Sequence, residues 1–416
     1  MRPLLTTALF LRMLVVLVML VMLVMPPVAG AVEPAFDIAP AEAWPMGRGS
    51  LAGTGRSAAT LHLPLTKRWQ RSFEKTAFGV VPVIAANGTI YLGDLDGTFH
   101  ALALDSGVTK WTFKAEAAGF SSSAAISPDP SIPLVVVGDD TGVVRGFDSE
   151  TGNVRWEYET DGEISGGPSI IPGIPGIPGG VNGISRVLVG SQDASLSALD
   201  LADGSLLWKH SIADQIRCSP TVAHTAAGDR VFLAGCDGKL HVIDATSGAE
   251  QAAVPIDGPT GTTPAAAGDR VFFGTEGGTF FAIDFLKAEI AWRAQAATQG
   301  QSYRSSAAIT DELVIVGSRG KAVEAFSRVD GLRKWRHPMR GKVDASPIVA
   351  LAADGRPLAI VADAAGKIAV LDAATGEPQW EFDAGGGFSG GAAVAAGHVV
   401  IASDDGTVWC FQSLSR

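Results

Sequence analysis

Two arginines, an aspartate and several aromatic residues stand at places in this sequence where a recurring pattern otherwise puts small or neutral side chains. Eight segments align column by column: AFGVVPVI, GFSSSAAI, EISGGPSI, QIRCSPTV, PTGTTPAA, SYRSSAAI, KVDASPIV and GFSGGAAV. Their third column reads Gly79, Ser121, Ser165, Arg217, Gly261, Arg304, Asp344 and Ser389. The column before it is mostly large and apolar: Phe78, Phe120, Ile164, Ile216, Thr260, Tyr303, Val343 and Phe388. Guanidinium groups grip anionic oxygens through paired hydrogen bonds and stack on planar groups, and neighbouring rings would add a flat apolar wall. Arg217, Arg304, Asp344, Tyr303, Phe120 and Phe388 are therefore the expected lining of a pocket for a planar or anionic group. The plainer reading has Asp344 pair with one arginine and plug the space, because structural ion pairs also occupy polar channels.

No catalytic set accompanies these residues. The seven histidines are scattered, and His100 and His241 lie on repeat strands. A serine without a partner histidine is no nucleophile. GRGSLAGTG does not join a strand to a helix, so it is not a phosphate loop. With neither CxxC nor HxxxH present, no metal site is expected.

The elements that must carry the columns follow from periodicity. A block of roughly forty-four residues recurs eight times from Trp69 onward, a period typical of β-propeller blades with four short strands each. Within a block a strand-end acid precedes a Trp at constant distance: Asp148 and Trp156, Asp200 and Trp208, Asp284 and Trp292, Asp372 and Trp380. Asp105 and Trp111 are closer, Ser327 takes the acid place before Trp335, and Ala252 takes the Trp place after Asp244. An Asp that accepts backbone N–H groups, followed by a Gly free to adopt positive φ, makes a turn, and a Trp on the outer strand covers the gap to the next blade. The fold class expected is thus all-β, an eight-bladed β-propeller of four-stranded antiparallel blades. The Trp69 strand lacks inner strands and the last block lacks a Trp strand, so the N-terminal strand should complete the last blade and close the ring.

On that architecture the eight aligned segments begin the innermost strands. Their Ser, Gly, Thr and Ala residues suit a crowded axis, and only the third column varies in chemistry. Turns on the same face carry Asp96, Asp139, Asp140, Asp193, Asp237, Glu276, Asp363, Asp404 and Asp405, with Arg319 in place of one acid. Asp-Gly turn geometry accounts for most of these acids, and a ring of them serves solubility, or else meets a cationic partner surface or a divalent cation. Counting across the hairpin turn Ala226–Asp229 puts Cys218 opposite Cys236, which predicts a disulfide over two buried thiols in an exported protein. Cys410 is left as a small core residue.

Export is read from residues 1–31. Arg2 and Arg12 precede an apolar run from Met13 to Met25, then Pro26, Pro27, Ala29, Gly30 and Ala31, the layout of a secretory signal cleaved near Ala31. The run is short for a membrane span of about twenty residues, which favours cleavage over an uncleaved anchor, and no span is expected after cleavage. No cysteine near the cut supports a lipid anchor, and the expected location is periplasmic or secreted. Residues 32–66 read as an irregular lead-in and 67–416 as the propeller. IPGIPGIPGG, residues 171–180, reads as an exposed loop because its prolines disfavour ladder pairing. A net charge of −11 argues against nucleic-acid partners and against adsorption to anionic lipid.

The strings HALALDSGVTKW, SALDLADGSLLW and AVLDAATGEPQW resemble the quinoprotein-type repeat family, named for pyrroloquinoline quinone (PQQ). The resemblance spans about Leu63 to Gln412 and implies the eight-bladed fold. The family divides into quinone-dependent dehydrogenases and non-catalytic propellers, among them the BamB-type component of outer-membrane barrel assembly. The dehydrogenases look longer, with loops over the quinone and usually an adjacent cysteine pair, and a calcium ion wants six or more oxygen ligands where the column offers only Asp344. The expectation is accordingly a non-enzymatic, BamB-like scaffold or binding module with a protein partner in the cell envelope and no cofactor. A PQQ- and calcium-dependent alcohol or sugar dehydrogenase is the alternative.

Overall fold

Alternating apolar strands that cannot bury both faces alone must stack, and here they stack as eight sheets around one axis. The computed structural model describes residues 38–173, 183–298 and 300–413. The signal segment and most of the Pro-Gly loop lie outside these residues. Six blades are sheets of four consecutive antiparallel strands, the first formed by Val83–Ile84, Thr89–Gly93, Thr98–Ala103 and Thr109–Lys114. The eighth blade takes its outer strand from the beginning of the chain: Leu65–Ser72 pairs antiparallel with Thr407–Ser413, Leu65 opposite Ser413 and Ser72 opposite Thr407. Ring closure is as expected. The described residues contain no helix long and apolar enough to cross a membrane.

The repeat's punctuation has a mechanical explanation. The strand-end Asp148 accepts the N–H groups of Glu150 and Thr151 through Oδ1, and Asp244, Asp284 and Asp372 cap their turns likewise. The Trp of one blade then lies on the turn glycine of the next. A Cβ on Gly248 would meet the Trp208 ring at 2.6 Å, and one on Gly204 would meet Trp156 at 2.6 Å. Each indole N–H donates across the same junction, Trp208 to Ala245 O at 3.2 Å and Trp156 to Leu201 O at 3.0 Å. Blade 4 has Ala252 instead of Trp, and the turn it faces has Ala288 instead of Gly, at φ +54°. The glycine is thus needed where an indole sits on it, and where the indole is missing the glycine is missing too.

The lead-in differs from the irregular segment expected. Arg56–Leu61 is a strand that adds in parallel to Ile348–Ala352, the inner strand of blade 7, making that sheet five-stranded. Before it the chain circles one end of the axis and offers carbonyls to the inner strands blade by blade. Ala396 N–H donates to Ala41 O, Ile84 to Trp44, Ile126 to Pro45, Val222 to Leu51, Ala266 to Ala52, Ile309 to Thr54 and Val349 to Gly55. Only blade 3 lacks such a bond among the described residues. Inner-strand edges that would be left unpaired are thereby satisfied. Tight turning needs glycine here: Gly49 has φ +78° and lies against Trp44, where a Cβ would meet the ring at 2.8 Å.

Candidate functional site

The lead-in closes one end of the axial channel and leaves the other open. At the closed end Arg48 is buried, its Nη2 donating to Ala307 O at 2.6 Å and Pro347 O at 2.9 Å. No carboxylate lies within 4 Å of it among the described residues, and its Nε and Nη1 have no protein partner. Burial pushes its pKa down to about 9. Arg48 lines a channel cavity of about 200 Å³ together with Arg217, Arg304 and Asp344. Sequence reasoning passed over Arg48, whose one signal is a lone charge inside a Gly-rich stretch.

The small residues of the inner strands do more than avoid one another. Val81 N–H donates to Ser123 Oγ, Ser219 N–H to Thr263 Oγ1, Thr263 N–H to Ser306 Oγ and Ser306 N–H to Ser346 Oγ. A belt of hydroxyls therefore laces neighbouring inner strands around the channel. Where the belt has glycine the backbones approach too closely for a side chain, as at Gly166, whose Cβ would meet Cys218 O at 2.2 Å.

At the open mouth Arg217, Arg304 and Asp344 reach the channel. Arg304 Nε donates to Glu276 Oε1 at 2.8 Å, and Asp344 Oδ1 lies 3.3 Å from Arg319 Nε. In both pairs the partner comes from the turn of the preceding blade, with the signs exchanged. Asp344 thus pairs with the one arginine in the ring of turn acids, not with Arg217 or Arg304. Arg217 bonds only Gln215 Oε1, at 2.6 and 3.0 Å, and has no carboxylate within 4 Å among the described residues. It opens onto a pocket of about 790 Å³ lined also by Glu163, Ser165, Gln192, Cys236, Thr260, Glu276 and Arg304. An exposed guanidinium with free N–H groups beside hydroxyl and amide donors can hold an oxyanion or a carboxylate side chain.

The aromatic half of the expected pocket is corrected. Phe120, Tyr303 and Phe388 are buried between blades, not at the mouth. In the segments that lead into the inner strands this column is buried in all eight copies, whereas the arginine column beside it is exposed or half-buried, so the rings point away from the arginines. Phe120 sits over Gly93 and Tyr303 over Gly274, where a Cβ would lie within 2.3 Å of each side chain. Tyr303 Oη donates to the buried Glu324 Oε2 at 3.0 Å.

The disulfide is also corrected: Cys218 and Cys236 are free thiols. The hairpin pairs Thr221 with Phe232, and continuing that register puts Cys218 opposite Gly235. Cys236 falls one position further, in the turn that follows the strand Arg230–Ala234, its Sγ 3.8 Å from Thr260 O while Cys218 Sγ lies 3.5 Å from Ala234 O. Burial pushes the Cys218 thiol up to about 12 and raises that of Cys236.

Neither dehydrogenase chemistry nor a serine nucleophile finds its donors at the mouth. The rings that would flank a planar quinone are buried, Asp344 is tied to Arg319, and no three-ligand group for a metal lies at the mouth among the described residues. GFSGG around Ser389 spells Gly-x-Ser-x-Gly, a match the sequence reading overlooks. Ser389 Oγ donates to Asp404 Oδ1 at 2.6 Å, and no histidine bonds it. Among the turn acids, Asp139 and Asp363 are buried and cap their own hairpins, Asp363 Oδ1 accepting from Ala365 and Lys367 N–H.

Comparison with known proteins agrees with this geometry. The family described as outer membrane protein assembly factor BamB matches residues 66–219 and 192–413. BamB of Yersinia pestis is 25% identical over 160 residues, 37% of this chain and 40% of that one. BamB of Nitrosomonas eutropha is 26% identical over 186 residues, 44% of this chain and 41% of that one. The matched stretch therefore spans about two fifths of these relatives. The crystal structure of BamB from Moraxella catarrhalis superposes with a TM-score of 0.64 at 19% identity, covering 84% of this chain and all of that one. Quinohemoprotein alcohol dehydrogenase from Comamonas testosteroni superposes with a TM-score of 0.71 at 13% identity, covering 94% and 83%. At such identities both likenesses concern the fold, whereas the family match runs through nearly every blade: the chain belongs to the family of the outer membrane protein assembly factor BamB.

Proposed function

We propose that this chain is an exported, non-enzymatic docking propeller, periplasmic after cleavage near Ala31, which holds a protein partner in outer-membrane protein assembly at its open channel mouth. The observation that supports this reading best is Arg217. Among the described residues it is the one charged residue of the mouth column without an oppositely charged partner, and it opens onto a pocket of about 790 Å³. An acidic side chain of the partner would complete it, as Glu276 completes Arg304. Family membership points to envelope assembly as the setting.

The test places a photo-reactive residue at Gln215 in cells and asks what it captures. The expected result is a discrete adduct containing an outer-membrane assembly protein, lost on Arg217→Glu while the variant stays folded. Capture unchanged by Arg217→Glu would overturn the role of the mouth. The dehydrogenase alternative is decided separately by absorbance titration with pyrroloquinoline quinone and calcium. Saturable binding at one quinone per chain would favour it over docking.

A further inference from the structure

At the rim between blades 3 and 4, three side chains that belong to no recognisable metal motif converge. His210 lies on the outer strand of blade 3, Leu206–Ser211. His241 lies on the third strand of blade 4, Lys239–Asp244, and Glu250 begins the outer strand of that blade, Glu250–Pro255. One ring nitrogen of each histidine and a Glu250 carboxylate oxygen all lie within 4.8 Å of one another. His241 Nδ1 is 2.7 Å from Glu250 Oε2, and His210 Nε2 is 3.7 Å from the same oxygen.

The protonation of His241 makes the arrangement informative. Its Nε2 faces the buried carboxylate of Asp237 at 3.0 and 3.2 Å, so the proton of the neutral ring belongs on Nε2. Nδ1 then turns a lone pair toward a carboxylate oxygen 2.7 Å away, a distance that a second proton bridges as it stands and that a zinc ion, with ligand bonds of about 2.0 Å, bridges once the partly exposed Glu250 side chain draws back slightly. A second proton makes an imidazolium clasped by Asp237 and Glu250, but leaves His210 Nε2 buried and without a hydrogen-bond partner. A cation satisfies all three ligands together. It also gives Asp237 the role of a carboxylate orienting a metal-bound histidine from behind.

We infer that His210, His241 and Glu250 form a zinc site that ties the outer strand of blade 3 to blade 4, with Asp237 as the residue that positions His241. Two imidazoles and one carboxylate are a ligand set zinc accepts, with a fourth position left for water. Glu250 is partly exposed, which leaves water a path to that position. Sequence spacing could not reveal the site because its ligands come from two blades.

The experiment is calorimetric titration of zinc chloride into the untagged chain, freed of metal with a chelator, near neutral pH. Saturation at one zinc per chain is expected, with binding lost in His210→Ala and in Glu250→Gln. Asp237→Asn, which removes no ligand, should weaken binding by about tenfold to a hundredfold. Zinc-edge X-ray absorption should report two nitrogen ligands from the protein. Absence of saturable binding, or binding unchanged in both Glu250→Gln and His210→Ala, would overturn the site and leave the imidazolium as the correct description. Both substituted residues lie at the rim, and Glu250→Gln keeps the side-chain shape, so one folded variant suffices to decide.

Discussion

Arg217 and Phe120 occupy adjacent columns of the same repeat yet carry opposite kinds of consequence. The Phe120 ring fills the space that Gly93 leaves open and touches Phe99 at a centroid distance of 5.5 Å. Truncating it to Ala should cost about 3–5 kcal/mol, the range for a large aromatic removed from a packed core. Arg217→Ala removes an exposed side chain with one neutral partner and should change stability by less than about 0.5 kcal/mol. Urea denaturation of the two variants checks this, and a stability loss in Arg217→Ala comparable to Phe120→Ala would contradict the assignment of the mouth to binding. The columns themselves were legible in the sequence because eight copies align. Which column faced the channel was not, because it turns on a shift of a single position ahead of each inner strand. The same one-position sensitivity undid the expected Cys218 to Cys236 bridge, since the register carries Gly235, not Cys236, opposite Cys218.

The blade junctions were the most legible part of the molecule, since each rests on contacts repeated at a constant spacing. Indole on glycine is the strongest of them, and it makes the glycine's role testable. Gly248→Ala places a methyl group 2.6 Å from the Trp208 ring at a residue with φ +72°. The left-handed conformation alone costs a side-chain-bearing residue about 1–2 kcal/mol, and the collision adds to it. In a Trp208→Ala background the collision disappears and only the conformational part should remain. A double-mutant cycle should therefore show a coupling of at least about 0.5 kcal/mol between residues 208 and 248. Ala288, which faces no indole, offers the converse: Ala288→Gly should be neutral or stabilise by up to about 1 kcal/mol through relief at φ +54°. Additive effects at 208 and 248 would show that the turn needs glycine for its backbone alone.

What holds the whole ring together divides between two stretches of one N-terminal segment, only one of which announced itself. The Leu65–Ser72 strand carries Trp69 and reads as a missing blade strand, so closure was foreseeable. The stretch from Ala41 to Gly55 works through backbone carbonyls, which leave no side-chain signature, and through Arg48, a single charge. Their separate contributions can be measured by truncation. A chain beginning at residue 63 keeps the closing strand but loses the cap, its carbonyls and the Arg48 bonds to Ala307 and Pro347. Each backbone bond contributes about 0.5–1.5 kcal/mol and each bond to a charged group about 1.5–3 kcal/mol, so a loss of several kcal/mol is expected with cooperative unfolding retained. A chain beginning at residue 74 also loses the closing strand, leaving Thr407–Ser413 as a bare edge and the Trp69 contact with Gly107 unmade. Such an edge invites pairing with other chains. Calorimetry and light scattering should show a lower thermal midpoint for the first truncation, and loss of a cooperative transition with self-association for the second. Equal behaviour of the two would mean that the carbonyl cap, rather than the shared blade, closes the ring.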